Sequence, residues 1–154
     1  MAEKNLQRSF IAIPLSQPLQ QKIAALQLQL RQLVPELKTP EVETLHLTLH
    51  FLGEQTQEQL AKIGQVMLSI GEKKKNFNVT LGSINFFPSQ RRPRILWLGV
   101  QPDKKIIELH QQLEVELNKR GVATDQRRYQ PHLTIGRFHQ RPDSIDRLRP
   151  FLSH

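Results

Sequence analysis

The chain has 154 residues and a mass of 17.9 kDa, which is the size of one domain. Its 22 Lys and Arg residues outnumber the 14 Asp and Glu residues, and the resulting net charge of +8 favours anionic partners such as nucleic acids and nucleotides. The absence of cysteine excludes disulfide scaffolds, iron–sulfur clusters, thiolate zinc sites and cysteine nucleophiles. No segment has the roughly 18 apolar residues that a membrane helix needs, so we expect a soluble, cytoplasmic protein without a membrane partner.

The first part of the chain has the patterns of a strand, a helix and a second strand. Residues 8–15 are rich in β-branched and aromatic side chains and predict a strand. Ser16 followed by Pro18 is typical of a helix start. The helix that follows has apolar residues at spacings of three and four, namely Leu19, Ile23, Leu26, Leu30 and Leu33. Residues 44–51 alternate strictly, which predicts a strand whose buried face is made of Leu45, Leu47, Leu49 and Phe51.

A second helix is predicted from the capping box of Thr56 and Gln59. Its apolar face contains Leu60, Ile63, Met67 and Ile70, and we expect Gly71 to end it. The lysines at 73–75 then begin a charged, solvated turn.

The rest of the chain predicts strands around one more helix. A strand begins at Phe77 and continues to Pro88, and a largely apolar strand follows at 95–100. The third helix starts at Asp103 and is capped by Gly121. Residues 129–138 predict another strand, and a short tail helix contains Ile145 and Leu148. This order of elements indicates a compact α/β or α+β domain.

One motif occurs twice, as His46-Leu47-Thr48-Leu49 and as His132-Leu133-Thr134-Ile135. Both copies lie in predicted strands, where successive side chains face opposite ways. Each His therefore shares a face with its Thr, roughly 7 Å away along the strand, while the apolar residues face the core. One such copy occurs often by chance, but two copies in similar contexts indicate a function.

A pair of histidines suits the chemistry of phosphodiesters. The attacking and leaving oxygens lie in line on opposite sides of phosphorus, so one group must accept a proton and another must donate one. Histidine changes its charge near neutral pH and can serve in either role. The hydroxyl of each Thr can donate a hydrogen bond to an anionic oxygen of the phosphate. A strained cyclic phosphate is already activated and needs no metal.

These residues resemble the 2H phosphoesterase superfamily, and more closely the RNA 2′,3′-cyclic phosphodiesterases, also called 2′-5′ RNA ligases. The resemblance extends from about residue 7 to residue 140. It is carried by Arg8-Ser-Phe-Ile-Ala-Ile-Pro14, His46-Leu-Thr-Leu-His-Phe-Leu-Gly-Glu54, Phe86-Phe-Pro88 with Ile95-Leu-Trp-Leu-Gly99, and Pro131-His-Leu-Thr-Ile-Gly-Arg137.

The resemblance implies an α+β fold with two lobes, each a small antiparallel sheet with outer helices, related by a pseudo-two-fold axis across a central cleft. We expect residues 1–154 to form this single bilobal domain. The resemblance also implies one further strand beyond the second motif, which would be expected to start where the chain stops at His154. We expect a monomer.

The resemblance also implies an activity, namely hydrolysis of RNA 2′,3′-cyclic phosphate ends to 2′-phosphates. His46 would donate a proton to the leaving oxygen and His132 would accept one from water. Thr48 and Thr134 would hold the phosphate oxygens. The Arg after the second motif lies near the phosphate in such enzymes, which implies Arg137. Strict alternation instead places Arg137 on the face of Leu133, unless Gly136 makes a bulge.

Other candidate residues have weaker patterns. On a helix, His46 and His50 would form a zinc pair, but on a strand they are roughly 13 Å apart, too far for one metal ion. We therefore predict no metal and no cofactor. Three arginines in the loop after Pro88 are possible RNA contacts, Arg91, Arg92 and Arg94. Phe10 and Phe51 could stack on a base, although core packing is the stronger expectation. His110, His139 and His154 are expected to be ordinary surface or partly buried residues.

Three functions remain open at this point. The first is hydrolysis of RNA 2′,3′-cyclic phosphate ends. The second is another 2H activity, such as cleavage of a 2′-5′ linkage, its reverse ligation, or opening of a nucleotide cyclic phosphate. The third is a basic RNA-binding module whose histidines only contact phosphate. RNA with cyclic phosphate ends, or a related nucleotide, is the expected partner.

Overall fold

Two small sheets and three α-helices form the framework of the protein. The computed structural model describes residues 5–152. In chain order the elements are β1 Gln7–Pro14, α1 Gln17–Leu33, β2 His46–Gln55, α2 Gln57–Lys73, β3 Thr80–Pro88, β4 Pro93–Gln101, α3 Asp103–Lys119 and β5 His132–Arg137. One sheet pairs β1 with β2, and the other has the order β3-β4-β5. Both are antiparallel, so the predicted class of two small antiparallel sheets with helices is confirmed.

The helix signals in the sequence act as expected at most ends. The Ser16 hydroxyl accepts a hydrogen bond from the amide of Leu19 at 3.4 Å, and Thr56 with Gln59 forms a complete capping box. Gly121 lies just after α3 with φ at +76°, a backbone conformation that suits glycine. The prediction that Gly71 ends the second helix is wrong, because α2 continues to Lys73. The Lys74 amide there donates to the carbonyl of Ile70, which closes the last turn.

Strand β2 changes its buried face along its length. Leu47 and Leu49 are buried as predicted, but Phe51 is 65% exposed and His50 is buried instead. Phe10 on β1 is 49% exposed, and its ring centroid lies 6.4 Å from that of Phe51. The expectation that these two aromatic residues pack in the core is therefore wrong, since both stand on the surface in contact with each other.

Two predicted strands are shorter in the structure. The first begins at Thr80 rather than Phe77, and the Phe77 ring lies about 6 Å from the ammonium groups of Lys74 and Lys105. The other, β5, begins at His132 rather than at residue 129. The predicted tail helix is present as a 3-10 helix over Asp143–Phe151, with Ile145 and Leu148 buried. His154 lies outside the described residues.

The described chain divides into two compact units. One contains residues 5–12, 48–79 and 102–131, and the other contains 13–47, 80–101 and 132–152. The core of the second unit joins the buried faces of α1, the three-stranded sheet and the tail, and includes Leu30, Leu96, Leu133, Ile135 and Leu148. None of the helices within 5–152 combines the length and the apolar character needed to cross a bilayer.

Candidate active site

The first His-x-Thr motif begins strand β2. His46 and Thr48 are half-buried, whereas Leu47 and Leu49 on the opposite face are buried. The alternation of polar and apolar residues causes this arrangement, because a strand turns every second side chain to the same side. The motif therefore presents one imidazole and one hydroxyl together on the face opposite these two leucines.

The orientation of the His46 ring is set by the residues before it. A 3-10 turn, Val42–Thr44, precedes the strand, and the carbonyl oxygen of Thr44 lies 2.9 Å from Nδ1 of His46. A carbonyl oxygen only accepts hydrogen bonds, so Nδ1 must carry a proton. In the neutral ring the proton is therefore on Nδ1, and Nε2 is the nitrogen with the lone pair.

The second motif lies on β5, at the edge of the three-stranded sheet. His132 is paired with Gly99 on β4, and Thr134 is paired with Trp97. Leu133 is buried on the opposite face in the core of this unit. As in β2, the histidine and the threonine share one side of the strand, and the alternating apolar residues hold the other side.

Two aromatic rings surround the imidazole of His132. The centroid of Phe87 lies 5.1 Å from it with the rings nearly perpendicular, and that of Trp97 lies 5.8 Å away at 71°. Phe87 and Trp97 stack on each other at 4.6 Å. Gly99, opposite His132, adds no side chain to this face. The imidazole is therefore packed against two aromatic side chains, which restricts its rotation.

A bulge in β5 decides the direction of Arg137. The ladder between β4 and β5 shifts register at Leu96 and Trp97, so that Ile95 pairs with Arg137. Ile95 is on the face of Trp97, and the shift therefore turns Arg137 to the face of Thr134 and His132. The placement on the Leu133 face, which strict alternation predicts, is wrong for this reason.

Gly136 and a buried glutamine lie at the bulge. A Cβ atom at Gly136 would lie 2.6 Å from Cδ1 of Leu37. The absence of a side chain lets residues 37–38 approach β5, where the amides and carbonyls of Lys38 and Arg137 bond to each other at 2.9 and 2.8 Å. Inside the bulge, the carbonyl oxygen of Ile135 accepts a hydrogen bond from Nε2 of buried Gln27 at 3.1 Å.

Comparison with known proteins identifies the family. A family model for the 2′-5′ RNA ligase superfamily matches residues 13–152. The chain is 31% identical over 141 residues to an RNA 2′,3′-cyclic phosphodiesterase of Methanothermobacter thermautotrophicus, which covers 92% of this chain and 76% of that protein. It is 28% identical over 141 residues to a protein of the same name from Thermotoga maritima, at 92% and 75% coverage.

The protein belongs to the 2′-5′ RNA ligase superfamily.

Solved structures agree with this family. LigT of Escherichia coli complexed with 3′-AMP matches with a TM-score of 0.69 and 26% identity, over 86% of this chain and 74% of that chain. TT0787 of Thermus thermophilus matches with a TM-score of 0.76 over the same shares of the two chains, and at 22% identity it supports the fold alone. The resemblance of the motifs to 2H phosphoesterases is thereby confirmed at the level of the family.

Four exposed arginines gather at one end of the three-stranded sheet. Arg91 and Arg92 lie in the hairpin between β3 and β4, Arg94 follows at the start of β4, and Arg137 ends β5 beside it. All four are exposed, and none takes part in an ion pair of the described residues. We call these four residues the basic sheet end. Its uncompensated charge suits a polyanion.

A group of three stacked rings was not predicted from the sequence. The ring of His110 lies between those of His50 and Tyr129, and both histidines are buried. The expectation of ordinary surface or partly buried character for His110 is therefore incomplete, because its ring is enclosed by two others. The available signal was the position of His50, two residues after Thr48 on the same face of the strand.

Proposed function

We propose that this protein hydrolyses RNA 2′,3′-cyclic phosphate ends to 2′-phosphates by acid–base catalysis with two histidines. The observation that carries the proposal is the pair of His-x-Thr motifs, each of which presents an imidazole and a hydroxyl on the same side of a strand. The names of the relatives support the substrate class, since several are RNA 2′,3′-cyclic phosphodiesterases.

In the proposed reaction, a water molecule attacks the phosphorus atom of the cyclic phosphate. His132 accepts a proton from this water as the new phosphorus–oxygen bond forms. On the opposite side of phosphorus the bond to the 3′ oxygen breaks, and Nε2 of His46 gives that oxygen its proton. The products are a 2′-phosphate and a 3′-hydroxyl. The two histidines end with exchanged protonation states, and solvent restores them.

Three further side chains are proposed to stabilise the transition state. The hydroxyls of Thr48 and Thr134 donate hydrogen bonds to the equatorial phosphate oxygens, where charge develops. Arg137, which the bulge turns to the face of His132 and Thr134, contributes a positive charge that binds phosphate. The aromatic rings of Phe87 and Trp97 pack against the His132 imidazole and hold it in place while it accepts the proton.

The proposed chemistry uses no metal ion. Within the described part of the chain, no three His, Asp, Glu or Cys side chains are close enough together to hold one. His50, the one histidine near the first motif, is buried and its Nε2 lies 2.9 Å from the carbonyl oxygen of His110. Two imidazoles with opposite proton roles are sufficient for a strained cyclic phosphate.

The product of the reaction tests the proposal. An RNA oligonucleotide with a 2′,3′-cyclic phosphate end is incubated with the protein in buffer containing EDTA, and the monoester is identified by chromatography against 2′- and 3′-phosphate standards. We expect complete conversion to the 2′-phosphate. A 3′-phosphate would reverse the proposed roles of His46 and His132, and activity that requires an added divalent ion would contradict the metal-free mechanism. Binding without turnover would leave only an RNA-binding module.

The basic sheet end is proposed to contact the RNA body. Changing Arg91, Arg92 and Arg94 together to glutamine should weaken RNA binding and flatten its dependence on salt, because fewer counterions are released from the phosphates. For a single strand, each lost contact lowers the slope of log affinity against log salt by about 0.7. Fluorescence anisotropy with a labelled oligonucleotide measures this slope.

A matched variant removes the same charge elsewhere. Changing the three lysines at 73–75 to glutamine should leave the slope unchanged, since they belong to the exposed end of α2 and the turn after it. Equal slopes for the arginine variant and the wild type would exclude Arg91, Arg92 and Arg94 from the RNA interface.

A further inference from the structure

Three side-chain rings form a continuous stack beside the first motif. The centroids of Tyr129 and His110 are 4.0 Å apart with the ring planes at 4°, and those of His110 and His50 are 3.9 Å apart at 13°. We call these three residues the ring stack. All three belong to the same compact unit as Thr48, and they come from β2, α3 and the segment before β5.

Both ends of the ring stack are attached to β2. At one end, His50 is itself a residue of the strand. At the other end, the hydroxyl of Tyr129 donates a hydrogen bond to the carbonyl oxygen of Thr48 at 2.8 Å. Thr48 and His50 are two residues apart, so the stack clamps the strand segment that carries the hydroxyl of the first motif.

Burial disfavours the charged forms of His110 and Tyr129 in the ring stack. The carbonyl of His110 accepts a hydrogen bond from Nε2 of His50 at 2.9 Å, which assigns the proton of a neutral His50 to Nε2. Burial, followed by the charge of His50, lowers the pKa of His110 to about 4, although the carboxylates of Glu114 and Asp125 oppose this shift. Burial also raises the pKa of Tyr129 to about 12, so its hydroxyl keeps the proton that it donates to Thr48.

We propose that Tyr129 is a positioning residue for the reaction described above, and that it acts through Thr48. Its hydrogen bond fixes the peptide group of Thr48, and this fixes the direction in which the Thr48 hydroxyl meets the phosphate. His110 and His50 hold the Tyr129 ring at the angle that this hydrogen bond needs. The inference rests on the proposed function, because it assigns Thr48 a role in binding the transition state.

The Tyr129→Phe variant isolates the hydroxyl, because phenylalanine keeps the ring and its stacking. If the Thr48 hydroxyl is held in place for the transition state, its loss of alignment should lower kcat more than it weakens substrate binding. We expect kcat for a 2′,3′-cyclic mononucleotide to fall about tenfold, with KM nearly unchanged. This is less than the 10²–10³-fold loss in kcat that follows complete removal of such a donor, because the Thr48 hydroxyl is still present. Ser144→Ala is the matched control. It removes the hydrogen bond that the hydroxyl of Ser144, in the tail, donates to Glu36, and it should keep wild-type kcat.

A double-mutant cycle with Thr48→Val separates positioning from a general structural role. If Tyr129 acts through the Thr48 hydroxyl, Tyr129→Phe should lower kcat less than twofold in the Thr48→Val background. Tenfold effects in both backgrounds would overturn the proposal, as would wild-type kcat for Tyr129→Phe. Should this variant not fold, His110→Leu removes the central ring of the stack, and its effect on kcat should likewise disappear in the Thr48→Val background.

The burial of the Tyr129 hydroxyl, which the clamp requires, can be measured without any turnover. Tyr129 is the only tyrosine of the chain, so the alkaline absorbance change of phenolate reports this one residue. We expect its ionisation near pH 12 in the folded protein and near 10 in urea. Ionisation near 10 in the folded protein would overturn the clamp even if the enzyme is active. Inactivity of the wild type on cyclic phosphates, with a normal clamp, would instead overturn the proposed function and the catalytic role that depends on it.

Discussion

Changing either His46 or His132 to alanine is expected to lower kcat on a cyclic-phosphate RNA end by about 10²–10⁴-fold, the usual contribution of a general acid or base. Both side chains are half-buried and point away from the apolar face of their strands, so their removal leaves the core leucines in place. The variants should remain folded, as checked by circular dichroism and thermal unfolding. Turnover is measured under single-turnover conditions, which exclude product release from the rate.

His139→Ala is the matched control for these two variants. His139 is exposed and follows the end of β5, so its removal should leave kcat at the wild-type value. Wild-type turnover by a folded His46→Ala or His132→Ala variant would contradict the assignment of the site.

The wild-type rate should also fall on both sides of an optimum pH, because one histidine must be protonated while the other is neutral.

The second large effect is expected from the two threonines. Thr48→Val and Thr134→Val remove one hydroxyl each and keep the β-branched shape that suits a strand. Each should lower kcat by about 10²–10³-fold, because a donor to the developing charge of the phosphate is lost. The affinity for substrate should change much less, since the hydrogen bond strengthens in the transition state.

Serine at the same positions provides the rescue. Thr48→Ser and Thr134→Ser keep the hydroxyl, and we expect kcat within about tenfold of the wild type in view of the usual size of one hydrogen bond. Thr80→Val at the exposed start of β3 is the matched control and should have no effect. If valine and serine variants have equal rates, the hydroxyls play no part in catalysis.

Local signals in the sequence were sufficient for the helices and for the two motifs. The Ser16 cap and the capping box of Thr56 predict the starts of α1 and α2, because caps depend on neighbours within one turn. The alternation around His46 and His132 predicts that each shares a face with its threonine, because a strand repeats every two residues. These properties depend only on nearby residues and are therefore readable from the sequence.

The surroundings of the motifs depended on contacts between distant parts of the chain. Strand β2 buries His50 instead of Phe51 because the His110 ring of α3 stacks on His50, which no alternation pattern shows. The side of β5 on which Arg137 stands follows from a bulge, beside which residues 37–38 pack against Gly136.

The sequence by itself therefore determined the order of the elements, the two motifs and the family resemblance that the comparisons confirm. Only the tertiary structure decided the aromatic partners of His132, the direction of Arg137 and the hydrogen bond from Tyr129 to Thr48. The physical reason is the range of the interactions. Periodicity and caps are set within a few residues, whereas ladder register, ring stacking and buried hydrogen bonds join residues that are far apart in the chain.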